Sequence, residues 1–482
     1  MSLNVALTNA VSGLRASQGQ IDVVSRNVSN ANTAGYTRKI ADSRAVVVAG
    51  QGQGVTLAET RRLVDAGLQR DVRTAISTEA RLATLDSYLE LLEQNFGKPT
   101  DSFSIAAKVN VLRSRFEDLH AAPEGLTQQL AVIRQAEEVC RDLASLSRTI
   151  QEMRVQTETD IANAVTEVNQ ALGQIKELND QIALGRSKNV STADLEDQRD
   201  ILVDKVAEQL GVHYVERDDG RVVLMTESSR LLVEIGSFSL DFVQTATITP
   251  AQTYAGGTLN GLTLGGIDIT SELSQGKLAA LFNLRDTRLV QAQQQLDEFA
   301  RAITVAFQGT GTGLAGTAVE LFQDGTATFA NTAAATVGYS QRIAVNSVLD
   351  TDPWRLREGT NTGVVVTEST DTGSTAVLDT IMSLFDNNQT FNNVGLGTTQ
   401  TFQEYTAQFV AFQGQERASI LSQHEYQEQL LTTLSSKLQN DSGVQVDEEI
   451  AHLIALQNAY AASARVVSSI DELFQELLNM KR

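Results

Sequence analysis

Residues 444–480 read VQVDEEIAHLIALQNAYAASARVVSSIDELFQELLNM. Every seventh position from Val446 gives Leu453, Tyr460, Val467 and Phe474, and the positions three further on give Glu449, Leu456, Ser463, Ile470 and Leu477. This is the a/d pattern of a coiled-coil seam, a helix with one narrow apolar stripe. The other end of the chain repeats it. Leu7, Leu14, Ile21 and Val28 recur every seventh residue, with Ala10, Ser17, Val24 and Ala31 three further on. So narrow a stripe does not serve a broad globular core, and small knobs such as Ala and Ser permit close approach. Each terminal helix is therefore expected to pair with the other, as a rod of about 35 residues per helix and roughly 50 Å. Periodicity alone equally allows two helices that close an ordinary helical domain.

Composition excludes several functions. The 482 residues are enough for three or four domains, and 42% hydrophobic content supplies their cores. A net charge of −21 without clustered Lys and Arg sets aside a nucleic-acid surface, because phosphate contact needs cations. An acidic balance keeps a self-associating protein soluble. Cys140 is alone, so neither an intramolecular disulfide nor a cysteine-based metal site is expected, and beside Val139 and Leu143 it reads as a small buried apolar residue. No apolar run has the length of a membrane span, and residues 1–10 lack the basic and apolar regions of a secretory signal. The protein is expected to stay in the cytosol or to leave by a route that reads no cleavable signal. Four prolines suit long helices, and few aromatics argue against a ligand-stacking surface.

The first heptad helix ends in Asn30-Ala-Asn-Thr-Ala-Gly-Tyr-Thr-Arg38, where Asn32 and Gly35 tolerate left-handed backbone and are expected to form a hinge. Residues 46–56, with Gly50, Gly52 and Gly54, read as a short β excursion. Helix is expected over 61–95, 103–120 and 124–184, the last with Ile161, Val168, Ile175 and Ile182 every seventh residue, a further coiled-coil-like rod. Thr192 is expected to cap a helix over 194–210 whose first turn carries Asp194, Glu196 and Asp197, acids at the favourable end of the helix dipole. From Gly211 the character changes. Residues 212–216 and 221–225 read as a hairpin with Asp219-Gly220 in a type I′ turn, and β signals continue to Ile269. Helix resumes over 276–307, the Gly-, Thr- and Val-rich stretch 309–373 reads as β, and helices return over 375–385 and 401–439.

The expected architecture is mainly α with a β-rich domain, elongated and multidomain. Residues 1–38 with 440–482 form the terminal coiled-coil unit, and 39–210 with 275–309 and 374–439 a helical rod. Residues 211–274 with 310–373 form an outer β-rich domain. Both termini then sit at one end.

Three stretches carry a family resemblance. Ser12-Gly-Leu-Arg-Ala-Ser-Gln18 with Asn27-Val-Ser-Asn-Ala-Asn-Thr-Ala-Gly-Tyr-Thr-Arg38 is similar to the N-terminal signature of the axial proteins of the bacterial flagellum. Ser442-Gly-Val-Gln-Val-Asp-Glu-Glu449, Ala459-Tyr-Ala-Ala-Ser-Ala-Arg-Val-Val467 and Ile470-Asp-Glu-Leu-Phe474 resemble the matching C-terminal signature. Inside that family the interior decides. Asp194-Leu-Glu-Asp-Gln-Arg-Asp-Ile-Leu-Val203 in a long helical block, and Gly276-Lys-Leu-Ala-Ala-Leu281, resemble the hook-associated protein 1 branch. A hook protein is mostly β there, and the flagellin-like second junction protein lacks the Asn-Thr-Ala-Gly-Tyr stretch.

The resemblance implies a structural, non-enzymatic building block without cofactor, outside the cell at the hook–filament junction, exported by the flagellar type III route without a cleaved signal. It implies as partners further copies of the chain in a helical ring, the hook protein, the second hook–filament junction protein, and a cytosolic export chaperone on the C-terminal helix. Neither nucleic acid nor membrane is among them. The self-assembly and partner-binding seam comprises Leu7, Leu14, Ile21, Val28, Leu453, Leu456, Tyr460, Val467, Ile470 and Phe474, exposed and at most loosely paired until neighbouring subunits arrive. Two other classes stay open: another axial component, hook or rod, and an enzyme domain carried on a coiled-coil scaffold.

Candidate chemistry is sparse. Gly311, Gly313 and Gly316 have G-x-G-x-x-G spacing, but a dinucleotide site needs a strand before it and a helix after it, and here a helix precedes. His120, His213, His424 and His452 fall on four elements without paired ligand spacing, so no metal site is expected. Asp194, Glu196, Asp197 and Asp200 read as capping and a solvated face rather than as an acid/base pair. Asn27-Val-Ser29 and Asn189-Val-Ser191 match a glycosylation sequon by residue type, as a Ser- and Asn-rich chain does by chance.

Overall fold

The computed structural model describes residues 3–48, 51–310, 319–360, 368 and 370–480. Helix α1 (Leu3–Ser29) opens the chain, and strands β1 (Lys39–Ile40), β2 (Ser43–Val48), β3 (Gln51–Leu57) and β4 (Arg61–Arg62) follow. β2 and β3 form a hairpin, and β1 pairs antiparallel with β4 at its base. The expected helix at 61 therefore starts later, as α2 (Ala66–Phe96). Arg61 and Arg62 are taken up in pairing with Ile40 and Lys39, and Asp65 caps α2 by accepting from the Gly67 and Leu68 amides.

Ser104 caps α3 (Ile105–Ala121), and α4 (Leu126–Ser187) then runs 62 residues, about 90 Å at the usual helical rise. Its heptad residues Ile161, Val168, Ile175 and Ile182 are fully buried. They are covered by more than one partner, so α4 is the central strut of a bundle rather than a free rod. α5 (Ala193–Gln209) packs beside it. Thr192 does not cap α5 as expected, because its hydroxyl donates to the Glu196 carboxylate at 2.8 Å instead of accepting from a backbone amide.

Strands β5 (Val212–Glu216), β6 (Val222–Thr226) and β7 (Leu231–Val233) make one antiparallel sheet, and β8 (Leu240–Asp241), β9 (Thr263–Leu264) and β10 (Ile267–Asp268) a second. The β5–β6 turn departs from type I′. The Arg217 amide donates to Arg221 O, the Gly220 amide to Arg217 O, and only Gly220 takes positive φ, +85°. That is a three-residue loop, a type I turn closed by a left-handed glycine. Helices α6 (Gly276–Asn283) and α7 (Leu289–Val305) are one helix with a π turn at Leu284–Arg288. The π turn aims Arg285 at Glu158, 2.6 Å away, both side chains wholly buried.

The stretch expected to be β after residue 309 is only partly so. β11 (Phe322–Asp324) pairs with β12 (Ile343–Val345), but the same stretch holds four one-turn helices, α8 to α11 (Ala333–Thr336, Tyr339–Arg342, Val348–Thr351 and Arg355–Glu358). Thr332 and Asn346 accept from backbone amides two or three residues on, which gives the chain local turns in place of a ladder. Among the described residues no strand of this block pairs with β5 to β10. The glycines at 311, 313 and 316 lie outside the described residues.

Helix α12 (Ala376–Asp386), the small ladder of β13 (Gln389–Thr390) with β14 (Thr399–Gln400), and α13 (Phe402–Ser442) return the chain along the bundle. A capping box between Thr401 and Glu404 starts α13. It runs antiparallel to α2, tied by Arg417 to Glu93 at 2.7 Å and by Gln427 to Ala75 O. Helix α14 (Val446–Asn479) follows after a three-residue break. The few aromatics concentrate where α3, α7, α12 and α13 meet, with Phe385 about equally close to Phe116, Phe307 and Phe402.

Candidate assembly interface

α1 and α14 pack antiparallel. A Cβ on Gly13 would lie 3.5 Å from Ser463 Oγ, and Asn27 donates to Glu449 at 3.0 Å. The heptad stripes face each other, leaving Leu456 8% and Ile470 6% exposed, with Leu453, Val467 and Phe474 half-buried. Opposite them Leu7, Leu14, Ile21 and Val28 are half-buried, while Tyr460 stays at the exposed edge. The seam expected to lie open is thus closed within the molecule, because the two stripes are complementary. α1 also has a second buried face, under the β2–β3 hairpin. There Ser12 Oγ accepts from the Val55 amide, Gly19 abuts Leu57 and Gln20 donates to Ala41 O. What α14 leaves exposed is its two shoulders, Ile450 and Ile454 on one, Val466 and Leu473 on the other.

The pair joins the bundle through the loop after α1. Gly35 takes φ +76°, and a Cβ there would come within 2.6 Å of Ile201 on α5. Asn32, the other expected hinge residue, is exposed and does not adopt positive φ. Asn27, 1% exposed, holds the loop with four bonds. It donates to Lys39 O and Glu449, and accepts from the Lys39 amide and the Tyr36 hydroxyl. Buried and fully bonded, it has no free amide for the sequon it matches. Arg38 Nε reaches Glu449 at 2.7 Å, and the Arg38 amide donates to Ser442 O at 2.8 Å.

Sequence reasoning misread the acidic start of α5. Glu196, Asp197 and Asp200 are buried, not a solvated face; only Asp194 stays exposed. Asp197 accepts from Lys39 Nζ and Thr37 Oγ1, both at 2.6 Å. Arg62 spans Glu196 at 2.9 Å, Asp197 at 3.0 Å and Asp200 at 2.6 Å, and Arg73 joins Asp200 at 3.0 Å to Asp204 at 2.6 Å. Burial alone would raise the Asp200 pKa, but Arg62 and Arg73 outweigh it and hold the group below its ordinary value. Glu196 is likewise held low against burial by Arg186 and Thr192. At Asp204 burial prevails over Arg73 and the pKa is raised. Burial, with the Asp194 carboxylate, pushes the Tyr36 phenol up to about 12. The cations come from β1, β4 and α2, far from α5 in the chain, so no local pattern announced them.

Other polar groups are committed elsewhere. His120 lies 2.7 Å from Asp379 and His424 3.3 Å from Glu79, on opposite parts of the bundle. Among the described residues no group of three or more His, Cys, Asp or Glu is placed to hold a metal ion, and no helix is long and apolar enough to cross a membrane. Burial pushes the Cys140 thiol up to about 12, which makes it inert. A cleft of about 690 Å³ beside the joint is lined by Arg44, Arg186, Glu196 and Glu216 among others, with Arg186 already paired to both glutamates.

Three families match along the chain. The flagellar hook-associated protein FlgK helical domain covers residues 89–322, the flagellar basal body rod FlgEFG protein C-terminal family residues 437–480, and the flagella basal body rod protein family residues 7–37. The chain is 25% identical over 550 residues to the flagellar hook-associated protein 1 of Escherichia coli (strain K12), covering 98% of this chain and 99% of that protein. To the flagellar hook-associated protein 1 of Bacillus subtilis (strain 168) it is 23% identical over 518 residues, with 98% of each covered. A solved structure of the flagellar hook junction protein FlgK from Burkholderia pseudomallei aligns over 53% of this chain and 44% of that one, at 20% identity and a TM-score of 0.43.

Proposed function

The chain belongs to the flagellar hook-associated protein 1 family, structural components of the bacterial flagellum, and from that membership we propose that it builds the junction zone between hook and filament. Copies assemble into a helical array through their terminal helices. The observation that carries this reading is the pair of apolar shoulders on α14. At 100° per residue, Ile450 and Ile454 lie to one side of the inward stripe, and Val466 and Leu473 to the other. A helix with its seam satisfied and two apolar flanks left over has one flank for each neighbour, and head-to-tail contacts that do not close give a helical order.

The interior between residues 66 and 209 is almost wholly helical, which favours the junction branch over hook. We assign no catalytic activity to the chain. Its working units are residues 1–38 with 440–482, the helical rod of 39–210, 275–309 and 374–439, and the outer block of 211–274 with 310–373. Its neighbours are the hook protein and the second hook–filament junction protein. Before export by the flagellar type III route, a cytosolic chaperone covers the C-terminal helix, whose apolar seam is an aggregation hazard while it is unpaired from α1. The test is electron microscopy of a deletion strain complemented in trans. Hooks without filaments, with flagellin lost to the medium, are expected from the deletion. Rescue is expected from the native chain but not from Ile454→Asp or Leu473→Asp. Full filaments on either variant would remove the shoulders from assembly.

A further inference from the structure

Glu449 is a carboxylate at a seam position, 1% exposed, in a stripe whose other inward members are apolar or small. Its two oxygens are matched to two different partners. Oε2 accepts from Asn27 Nδ2 at 3.0 Å, and Oε1 from Arg38 Nε at 2.7 Å. Asn27 is itself pinned by Lys39 and Tyr36, and Arg38 by the hydrogen bond that its backbone N–H donates to Ser442 O. The rest of the seam discriminates weakly. Leu, Ile, Val, Ala and Ser repeat along both helices, so sliding α14 by one heptad, about 10.5 Å, still sets apolar against apolar. Glu449 alone has no substitute partners after such a slip. Moved one way it comes level with Gln20, which already donates to Ala41 O, and moved the other way it passes beyond the end of α1 at Ser29.

We infer that Glu449, read by Asn27 and Arg38, sets the register of the terminal helix pair. A buried polar residue at one seam position costs stability and selects one alignment, because a one-heptad slip either way parts the carboxylate from the donors matched to it. Because register also fixes where the α14 shoulders stand relative to the hairpin on α1, Glu449 is a positioning residue for whatever packs there. The inference concerns the free chain and does not rest on the junction reading.

Cysteine pairs in the full-length protein test it, since the native Cys140 is buried. Gly13→Cys with Ser463→Cys reports the observed register. Gly13→Cys with Leu456→Cys, or with Ile470→Cys, reports a slip of one heptad in either direction. With Glu449 in place, oxidation is expected to cross-link the 13/463 pair about tenfold faster than either slipped pair. With Glu449→Leu, which adds apolar surface, the slipped pairs are expected to close to within about threefold of the 13/463 pair. Glu449→Gln, which keeps the bond from Asn27, is expected to fall between. An unchanged preference in Glu449→Leu overturns the inference. Loss of all three cross-links in that variant does so as well, because Glu449 would then be needed for pairing and not for register. Equal cross-linking of the three pairs with Glu449 in place would also overturn it.

Discussion

Lys39 and Asp197 stand 158 residues apart in the chain, yet Nζ lies 2.6 Å from a carboxylate oxygen, with the two side chains 2% and 7% exposed. One belongs to the strand that leaves the terminal helix pair and the other to the helical bundle. The connection between the two parts is therefore a buried ion pair, not only a length of loop.

Asp197→Ala strips Lys39 of its closest counter-ion, Thr37 of its acceptor and Arg62 of one carboxylate. A buried charge left wholly uncompensated costs about 3–5 kcal/mol, and Lys39 keeps the exposed Asp194 at 3.0 Å, so the loss should fall below that range. Denaturant unfolding should show that loss, with Asp197→Asn, which still accepts hydrogen bonds, less affected. A loss under about 1 kcal/mol in both would mean that water reaches the joint and solvates Lys39.

Gly35→Val combines a side chain at φ +76° with a Cβ 2.6 Å from Ile201. The backbone part alone is worth about 1–3 kcal/mol. Ile201→Ala in the same chain should relieve the collision but not the strain, so it should restore assembly only in part. The variant is expected to appear in the culture medium at normal levels while fewer hooks carry filaments. Normal filament counts would take the hinge role away from Gly35.

The joint should loosen in acid. Asp200 and Glu196 have folded pKa values below their ordinary 3.8 and 4.5, so in the window just under those values the unfolded chain binds more protons than the folded one. Their contribution is fully present above that window and is lost as pH falls through the folded values. Asp204, raised, works in the opposite sense and weakens the fold as pH rises past its ordinary value. Hydrogen exchange of residues 30–65 at pH 3 against pH 7 reads the balance, and faster opening at pH 3 is expected. Unchanged protection there would mean that the carboxylates are not what closes the joint.

Val467→Asp with Phe474→Asp should weaken chaperone binding and filament formation together, because both residues face the seam. Pull-down with the export chaperone and counts of filamented cells give the two readouts. Chaperone affinity that survives the change would place its site on the exposed shoulders of α14, which the substitutions leave intact.

The purified protein should be monomeric, and limited proteolysis should trim it to about residues 41–439 and leave a cooperatively melting core that no longer assembles. Few side chains of α14 are deeply buried, Leu456 and Ile470 chief among its apolar ones, so the pair is marginal until neighbours add contacts. Equal resistance of ends and core would show the pair already locked.

What could be read from the sequence follows the range of the interactions. The stripes of α1, α4 and α14 repeat every seventh residue within one segment, so periodicity found them. The second face of α1 was hidden because Ser12 and Gly19 meet a hairpin whose own residues alternate too briefly to advertise a partner. Asp197 and Asp200 looked like a solvated helix start because their cations, Lys39, Arg62 and Arg73, come from elsewhere in the chain. After residue 309, Thr- and Val-rich sequence suggested strands, but side-chain caps at Thr332 and Asn346 turned it into helical loops.

Because α1 and α14 run antiparallel, the first described residue, Leu3, and the last turn before Met480 emerge at the same tip. A fluorescent or affinity tag on either terminus would occupy that one place, so moving a tag from one end to the other would not relieve interference with motility. The exposed β9–β10 turn at Gly265 and Gly266, where an added Cβ would meet no atom within 4 Å, offers an insertion point away from it. A short epitope there should leave swimming intact where terminal fusions abolish it.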